Sequence, residues 1–415
     1  MVLKMRKMKD SGIEWIGMIP EGWEVCRLKN IVACHDELRK PISADKRENH
    51  LKLYDYYGAS GVIDTIDDYN VDGTVLLIGE DGANLKLRNL PLIYRASGKF
   101  WVNNHAHILI VNKKHSYDYV AYLLEAGDYS NYITGSAQPK LSQFNLMRFP
   151  VAIPNYTEQE NISFFIHREC SKIDSILSET RSSIEEYKKL KQAVITQAVT
   201  KGVRGEQKMK DSGVEWIGKV PSKWNCIKIK YLFEIRKRIA GKEGYTVLSI
   251  TQTGIKPKNI SSNEGQLADS YSNYQLLHFG EFAMNHMDLL TGWVDISNYN
   301  GVTSPDYRVF SLKDTITNHP RYFLYLMQMC YFNRIFYSMA QGVSSLGRWR
   351  LQSDKFLNCI FPVPSIEEQK EISAYLDTTC SEIDKLIAKK EQLVKELESY
   401  KKSLIYEVVT GKREV

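Results

Sequence analysis

The chain has 415 residues, which is enough for roughly two to four domains that can each bury a core. Hydrophobic residues make up 43% and charged residues 25%, and these shares exclude a fibrous or an intrinsically disordered protein. The formal net charge of +6 permits binding to nucleic acid without requiring it, because local basic patches matter more than the total charge.

The cysteines and the hydropathy pattern narrow the class further. Seven cysteines are scattered along the chain without a CxxC pair, which favours reduced thiols in a cytoplasmic protein over a disulfide framework. The basic N-terminus lacks the apolar stretch of a signal peptide, and no run of about 18 apolar residues is present. We therefore expect neither secretion nor a membrane span.

The first predicted element is a short opening motif that occurs twice. KMKDSGIEWIGMIPEGW occupies residues 7–23 and KMKDSGVEWIGKVPSKW occupies residues 208–224, and 12 of the 17 positions are identical. A second repeated segment follows, in which Glu158 matches Glu368 at an offset of 210 residues. The chain is therefore an internal duplication, and each half runs from the opening motif through a divergent region to a charged, periodic segment.

The two divergent regions, residues 24–150 and 225–360, are predicted to be mixed α/β domains with loop-rich surfaces. Their short β-like runs are broken by Gly and Asn turns. These runs cover 75–78 and 107–110 in the first region and 245–250 and 307–310 in the second, which also has a predicted helix over 322–337. Because the two halves share their flanking segments but differ between them, we expect two recognition domains with different targets.

The charged segments that end each half are predicted to be long helices. Their apolar residues recur at spacings of three and four, which is the stripe of a coiled coil. Each segment begins after a proline, Pro154 or Pro364, carries Glu in its first turn and ends near a glycine. Because so long a stripe must be buried, we expect the two helices to pair antiparallel and to give a pseudo-twofold molecule. The alternative that each helix packs back on its own domain stays open.

No motif for catalysis is found. The sequence lacks GxGxxG, Walker A, HExxH, GxSxG and the NPP[FY] tetrapeptide of base-amine methylation. His105 and His107 would share one face of a strand, as metal ligands can, but no third ligand stands near them in the sequence. We therefore favour a structural or contact role for this pair, and we expect no catalytic residue, metal or cofactor in this chain.

Basic and amide side chains cluster near glycines in both divergent regions. Arg, Asn and Gln can read base edges, Lys can hold phosphates, and Gly permits close backbone approach. A solvated surface is the competing interpretation for any single cluster. The candidate DNA-binding residues are Lys86, Arg88, Asn103, Asn104, His105, Gln138, Lys140, Asn285, Arg348 and Arg350.

The arrangement resembles the DNA-specificity subunit of type I restriction–modification systems over essentially the whole chain. The resemblance rests on the duplicated DSGIEWIGMIPEGW and DSGVEWIGKVPSKW, the helix entries IPNYTEQENI and VPSIEEQKEI, and the stretches FWVNNHAHIL and MNHMDLLTGWVDIS…GVTSPDYRVF. It implies an α/β (mixed α+β) fold in which two target-recognition domains are separated by two long antiparallel coiled-coil helices. We place the domains at residues 1–155 and 204–363 and the helices at 156–203 and 364–415.

The same resemblance implies a non-catalytic role in a larger complex. Each recognition domain would read one half of a split target in double-stranded DNA. The helices would dock two modification (methyltransferase) subunits, and restriction (motor-nuclease) subunits would join. These partners would use S-adenosylmethionine, ATP and Mg²⁺. The helix residues expected to bind partners are Ile173, Leu177, Ile184, Tyr187, Ile383, Ile387, Val394 and Leu397. Two alternatives stay open: a coiled-coil adaptor that binds only protein, and a fused restriction enzyme or methyltransferase.

Overall fold

The computed structural model describes residues 6–47, 53–259, 268–340 and 349–415. These residues form two compact units. Unit 1 comprises the described residues up to Thr180 together with Gln392–Val415, and unit 2 comprises the described residues of Arg181–Glu391. Unit 1 is built from two separate stretches of the chain and unit 2 from one, and each unit contains a part of both long helices. The domain boundaries placed from the sequence stay a prediction.

Unit 1 is built around a six-stranded sheet in the order β4-β9-β7-β8-β5-β6, in which only the β5–β8 pair is parallel among the described ladders. The hairpin β1–β2 and the pair β3–β10 form separate ladders. The strands are β1 (Met8–Asp10), β2 (Met18–Pro20), β3 (Glu24–Arg27), β4 (Val32–Cys34), β5 (Tyr54–Gly58), β6 (Gly61–Ile66), β7 (Val71–Gly79), β8 (Ile93–Val102), β9 (Ala106–Val111) and β10 (Pro150–Ile153). The helices are α1 (Ala44–Arg47), α2 (Asn84–Leu87), α3 (Tyr117–Ala126), α4 (Gln143–Met147) and the first part of α5 (Tyr156–Lys201).

Unit 2 repeats the frame around a four-stranded sheet in the order β14-β21-β18-β19, with two-stranded ladders beside it. Its strands are β11 (Met209–Asp211), β12 (Lys219–Pro221), β13 (Asn225–Lys228), β14 (Phe233–Arg236), β15 (Leu248–Thr251), β16 (Gly254–Pro257), β17 (Gln275–Leu277), β18 (Phe282–Met284), β19 (Val294–Ile296), β20 (Gly301–Thr303), β21 (Arg308–Leu312) and β22 (Ile360–Val363). Its helices are α6 (Ile229–Leu232), α7 (Pro320–Phe332), α8 (Ile335–Ser338), α9 (Ser353–Asn358) and the first part of α10 (Ile366–Val409).

Each opening motif folds into a short hairpin that buries the second of its two tryptophans. In the first copy the Asp10 carboxylate accepts from the Gly12 amide at 2.9 Å, and Asp211 and Gly213 make the same bond in the second copy. This local bond is the Asx turn that an Asp-x-Gly segment favours. Trp23 is 1% exposed and Trp224 is fully buried, so the repeated motif supplies core to both units.

The two long helices, α5 and α10, have 46 and 44 residues and are each roughly 65–70 Å long. The side chain of Asn155 accepts from the Glu158 amide at 3.0 Å, and Ser365 accepts from the Glu368 amide, so both N-termini are capped. Gly202 and Gly411 follow the C-termini with positive φ angles of 81° and 72°. Both helices lie where the apolar periodicity predicts them.

Within unit 1, the start of α5 packs against the end of α10. Their apolar side chains join one core with the opening motif, and the Lys401 ammonium lies 2.6 Å from the Asp174 carboxylate. The carbonyl of Val409 accepts from the Tyr119 hydroxyl, which also bonds the carbonyl of Ala152 just before α5. The end of α10 therefore lies beside the beginning of α5, and the two segments run antiparallel.

Within unit 2, the end of α5 packs against the start of α10 in the equivalent way. The Lys191 ammonium lies 2.7 Å from the Asp384 carboxylate, and the Arg204 guanidinium lies 2.6 Å from Glu371. From Lys191 to Arg204 the residue number rises along α5, whereas the number of the paired acidic residue on α10 falls, so these segments are also antiparallel. The exposed ion pairs contribute little stability, and the buried apolar seam is the main attraction.

Candidate nucleic-acid interface

Four of the predicted DNA-binding residues of unit 1 meet around one loop, residues 134–140, which we call the reading loop of unit 1. Lys140 pairs through its backbone with Thr134 and Asp81, and its ammonium lies 3.1 Å from the Glu80 carboxylate. The Lys86 ammonium is 3.5 Å from the carbonyl of Gly135. The third residue, Gln138, is exposed within the loop, and the fourth is His105. The loop brings α2 and the end of β7 into the same surface.

His105 and Asn104 complete this surface from the turn between β8 and β9. The His105 ring bonds the Asp81 carboxylate at 2.8 Å, and its side chain is 48% exposed. Asn104 is exposed, and its carbonyl accepts from the Arg39 guanidinium at 3.3 Å. Side chains that are far apart in the sequence thus present hydrogen-bond donors and acceptors together, which is the chemistry that reads base edges.

The turn of the reading loop depends on a glycine. Gly135 has a φ of +83°, and a Cβ at this position would collide with the carbonyl oxygen of Gln138. An L side chain is therefore excluded there by both strain and overlap. The glycine noted near the basic residues in the sequence is needed for the path of the loop itself.

A polar network lies beneath this surface. The Arg39 guanidinium bonds Glu80 at 2.6 Å and lies 3.1 Å from Asp36. Burial alone would raise the pKa of the Glu80 carboxyl, but its bonds to Arg39 and Lys140 outweigh burial, so the pKa is lowered. Glu80 is thus ionised at neutral pH, and it holds the Lys140 ammonium at the surface.

The buried end of the network is His107, which is fully buried and bonds Asp36 through Nδ1 at 2.6 Å and the Leu141 carbonyl through Nε2 at 2.8 Å. Cys34 lies close to the same carboxylate, and burial raises the pKa of its thiol to about 12. Cys34, Asp36 and His107 are a possible metal donor set by proximity. The donor chemistry does not fit a cation, because the guanidinium of Arg39 already pairs with Asp36 and the thiol resists ionisation.

Two predicted DNA-binding residues of unit 1 are used by the fold instead. Arg88 has a left-handed backbone, with φ of 53°, and its guanidinium donates to the carbonyls of Glu125 and Gly127 at the end of α3. Asn103 is 5% exposed, and its side chain accepts from the His105 amide at 2.8 Å. Both side chains bond backbone within their own unit, and their role in DNA binding stays a prediction.

The predicted residues of unit 2 are more dispersed. Asn285 caps its own turn by accepting from the amides of Met287 and Asp288, and its role in DNA binding likewise stays a prediction. Arg350 is exposed. Arg348 lies outside the described residues.

Sequence reasoning missed the buried cation beside Arg350. Arg308 is 3% exposed and donates to the Leu351 carbonyl at 2.9 Å and to Ser353, while its guanidinium covers the ring of Phe356. Burial lowers the pKa of Arg308 to about 10, so the side chain remains charged at neutral pH. The sequence could have indicated Arg308 as the equivalent of His107, because the two residues are 201 positions apart, which is the offset between the two opening motifs.

The residues expected to bind partners are mostly turned inward. Five of them are buried or lie against the core of unit 1 or unit 2, and Ile184 is buried as well, so these side chains form the seam between the helices. Tyr187 and Ile387 are half-buried, and the Lys390 ammonium lies over the Tyr187 ring. Packing within the chain leaves these side chains little surface for a second protein, and their assignment to partner binding stays a prediction. The residues concerned are Ile173, Leu177, Ile184, Tyr187, Ile383, Ile387, Val394 and Leu397.

The model of the type I restriction modification DNA specificity domain matches residues 20–186 and again residues 221–396. The chain belongs to this family. The two matched stretches cover most of the chain and coincide with the duplication. Recognition of DNA is the role that the family's description names, and it agrees with the donors and acceptors gathered at the reading loop.

Individual relatives support the membership of this specificity-subunit family. A proposed type I restriction enzyme specificity subunit of Haemophilus influenzae is 31% identical over 124 residues, which cover 30% of this chain and 31% of that protein. The type I restriction enzyme MjaVIII specificity subunit of Methanocaldococcus jannaschii is 22% identical over an alignment that covers 99% of this chain and 98% of that protein.

A solved structure has the same fold as this chain. It belongs to a study of complex assembly and conformational transition of the type I R-M system, and it matches with a TM-score of 0.67 at 11% identity. The match covers 95% of this chain and 99% of that chain. Among the described residues, none of the helices is long and apolar enough to cross a lipid bilayer.

Proposed function

We propose that each unit of this chain reads one half of a split target in double-stranded DNA, and that the chain directs partner enzymes to that target. The observation that carries the proposal is the convergence of Lys86, His105, Gln138 and Lys140 around the reading loop of unit 1. Lys supplies phosphate contacts, whereas amide, imidazole and carboxylate groups supply base contacts. A loop on a rigid sheet is a suitable place for both, because the scaffold holds its ends.

In unit 2 the corresponding candidate reader is Arg350. Arg350 is exposed directly before Leu351, just as Lys140 is exposed directly before Leu141. The two leucines are both fully buried. This equivalence supports one reader per unit, and two readers with different side chains suit a target whose halves differ.

The chain supplies recognition, and its partners supply chemistry. We propose that modification subunits bring S-adenosylmethionine for adenine methylation, and that restriction subunits bring an ATP- and Mg²⁺-dependent motor and nuclease. The complex would work in the cytoplasm, where its cysteines stay reduced. The family membership and the solved relative of a type I assembly support this division of labour.

An apolar stripe on the outer faces of the helices is the candidate docking surface for the modification subunits. Leu386, Leu393 and Tyr400 follow one another at seven-residue spacing on α10 and are 42%, 41% and 49% exposed. On α5, Ile176 and Leu190 are 46% and 48% exposed. Seven-residue spacing places side chains on one helix face, so this second stripe is separate from the buried seam.

The stripe obeys the internal repeat. Ile176 matches Leu386 and Leu190 matches Tyr400 at the offset of 210 residues that relates the two helices. Unit 1 contains Ile176 and Tyr400, and unit 2 contains their equivalents. Each unit therefore offers an equivalent apolar face, which supports two copies of the modification subunit, one for each unit.

DNA binding is tested with the complex of this chain and its modification subunits. Lys140→Gln should weaken binding to all duplexes to a similar degree and lower the slope of log affinity against log salt by about 1, because one phosphate contact is lost. The matched control is Lys113→Gln, since Lys113 is exposed just beyond the opposite end of β9 from His105. Wild-type complex that shows no preference among DNA sequences would favour the protein-only adaptor.

Partner docking is tested by co-purification. Leu386→Asp should release modification subunit from unit 2, and Ile176→Asp should release it from unit 1, so each variant is expected to retain one copy and the double variant none. Ser182→Asp is the control, because Ser182 is exposed on α5 and lies about 120° around the helix from the stripe, so the variant adds the same charge outside it. Full retention of both copies in the double variant would refute this docking face.

A further inference from the structure

His107 and Arg308 occupy equivalent positions in the two units. Val32 pairs with Val111 across β4 and β9, and Phe233 pairs with Leu312 across β14 and β21, so the two ladders have the same register at an offset of 201 residues. That offset maps His107 onto Arg308. Each is a cationic or cation-forming side chain, and each is almost completely buried, at 0% and 3% exposure.

Both side chains bond the same backbone group of the following loop. His107 reaches the carbonyl of Leu141 at 2.8 Å, and Arg308 reaches the carbonyl of Leu351 at 2.9 Å. Leu141 and Leu351 are themselves equivalent, at the offset of 210 residues found for the long helices. Two chemically different side chains thus perform the same contact in the two copies.

The amide of each leucine is also held. The Leu141 amide donates to the Glu80 carbonyl at 2.7 Å, and the Leu351 amide donates to the His286 carbonyl at 3.0 Å. The leucine side chains are fully buried. Each leucine is therefore fixed at its amide, its carbonyl and its side chain, whereas the residue before it points into solvent.

We propose that His107 and Arg308 are positioning residues that each set the geometry of one DNA reader, and hence the discrimination at one half-site, without touching DNA. Each holds the buried leucine that directly follows Lys140 or Arg350. The inference rests on the proposed function, because it assumes that Lys140 and Arg350 read DNA. It predicts that specificity of the two half-sites can be disturbed independently by two buried residues.

The physical reason is the cost of an unpaired buried carbonyl. When the donor is removed, the leucine carbonyl must find another partner, and the segment shifts to satisfy it. Base discrimination depends on bidentate geometry, so a shifted segment loses discrimination before it loses general attraction to phosphate. Phosphate contacts tolerate displacement better, because a Lys ammonium acts as a point charge on a flexible stem.

The experiment measures methylation by the complete methyltransferase complex. The cognate site is first read from the methylated positions of host DNA. Initial rates are then compared on the cognate duplex and on duplexes with one base pair changed in either half-site. His107→Leu should lower the cognate-to-changed rate ratio about tenfold in one half-site and leave the other unchanged, and Arg308→Leu should do the reverse.

Two further variants separate positioning from folding. Arg308→Lys keeps a donor that can reach the Leu351 carbonyl, so it should retain more discrimination than Arg308→Leu. His107→Asn and Arg308→Gln are shorter but keep a polar group in the site, so they provide the same test if the leucine variants do not fold. A merely structural role would lower thermal stability without confining the change in rate ratios to one half-site.

Two results would overturn the inference. Unchanged rate ratios in folded His107 and Arg308 variants would show that neither residue positions a reader. An equal fall at both half-sites for a single variant would show general destabilisation. A wild-type complex without any preference between half-site bases would refute the proposed function as well, which distinguishes that failure from the first two.

Discussion

The hydroxyl group of Tyr119 provides a sharp test of how unit 1 is assembled from both ends of the chain. It donates to the carbonyls of Ala152 and Val409, each at 3.2 Å, and the tyrosine is fully buried. Tyr119→Phe removes the donor and keeps the ring. An unpaired buried acceptor costs about 1–3 kcal/mol, which corresponds to roughly a 5- to 150-fold increase in the opening constant of unit 1.

Amide hydrogen exchange of the whole chain measures this change segment by segment. We expect faster exchange in peptides from unit 1, including the end of α10, and wild-type exchange in residues 225–360. Tyr322→Phe is the matched control, since the Tyr322 hydroxyl bonds the carbonyls of Pro362 and Val199 in unit 2 at 2.8 Å and 3.2 Å. Acceleration confined to unit 2 by Tyr119→Phe, or wild-type protection at Val409, would refute the reasoning.

Three further predictions follow from single features. Burial, with Arg308 and Arg350 nearby, lowers the pKa of His286 to about 3, so the unfolded chain takes up this proton first as the pH falls. Unit 2 should therefore lose up to about 1.4 kcal/mol of stability per pH unit between pH 6.5 and about 3, and urea titrations at several pH values should show that the unfolding free energy of His286→Asn depends less steeply on pH. Joining the chain ends and reopening near Gly205 should preserve assembly, and failure of a folded permutant to bind its modification subunit would contradict this. Exchanging residues 24–150 for those of a relative should alter one half-site only, as methylation mapping would detect.

The expected permutation result has a direct structural basis. The Tyr406 hydroxyl near the end of α10 donates to the Trp15 carbonyl at 2.8 Å, and the Lys412 ammonium bonds the Ile16 carbonyl. In unit 2 the Lys201 ammonium bonds the carbonyl of Ile217 at 3.1 Å, where the chain is continuous. The same helix-to-motif contact therefore forms with and without a covalent connection nearby.

The frame could be predicted from the sequence because its signals are local or repeated. The apolar spacing of α5 and α10 follows from helix geometry alone, and the Asp-x-Gly turn of each opening motif is a short-range preference. Because the chain is duplicated, each of these two patterns occurs twice in the sequence. The predicted helix over 322–337 was also found, but it is divided into α7 and α8 because Arg334 adopts a left-handed conformation, with φ of 57°.

The recognition sheets could not be ordered from the sequence. The runs at 75–78 and 107–110 were recognisable as strands, yet their places beside each other depend on pairing between distant segments. The parallel contact between β5 and β8, in which Tyr56 faces Trp101, leaves no periodic trace in either strand. Strand existence follows from composition and alternation, whereas strand order is a property of the folded chain.

Residue type identified the reading surface only in part. Lys140 and Arg88 are both basic residues near a glycine, but the first projects from a loop and the second is occupied by carbonyls at the end of α3. Sequence cannot distinguish these cases, because local backbone acceptors are created by the fold. The sequence likewise did not distinguish the inward apolar stripe, which was predicted to bind partners, from the exposed seven-residue repeat of Leu386, Leu393 and Tyr400.

Most of the difference in length between the two copies lies between two pairs of equivalent buried residues, a tyrosine and a leucine in each unit. His107 and Arg308 are 201 residues apart, Tyr119 and Tyr322 are 203 apart, and Leu141 and Leu351 are 210 apart. Seven of the nine additional residues therefore fall between the buried tyrosine and the buried leucine. Extending a segment between fixed anchors adds little closure entropy, because that cost grows only with the logarithm of length. The anchors can thus hold the helices and sheets in place while the segment between them changes in length and side chains, which is how one duplicated frame can come to read two different DNA sequences.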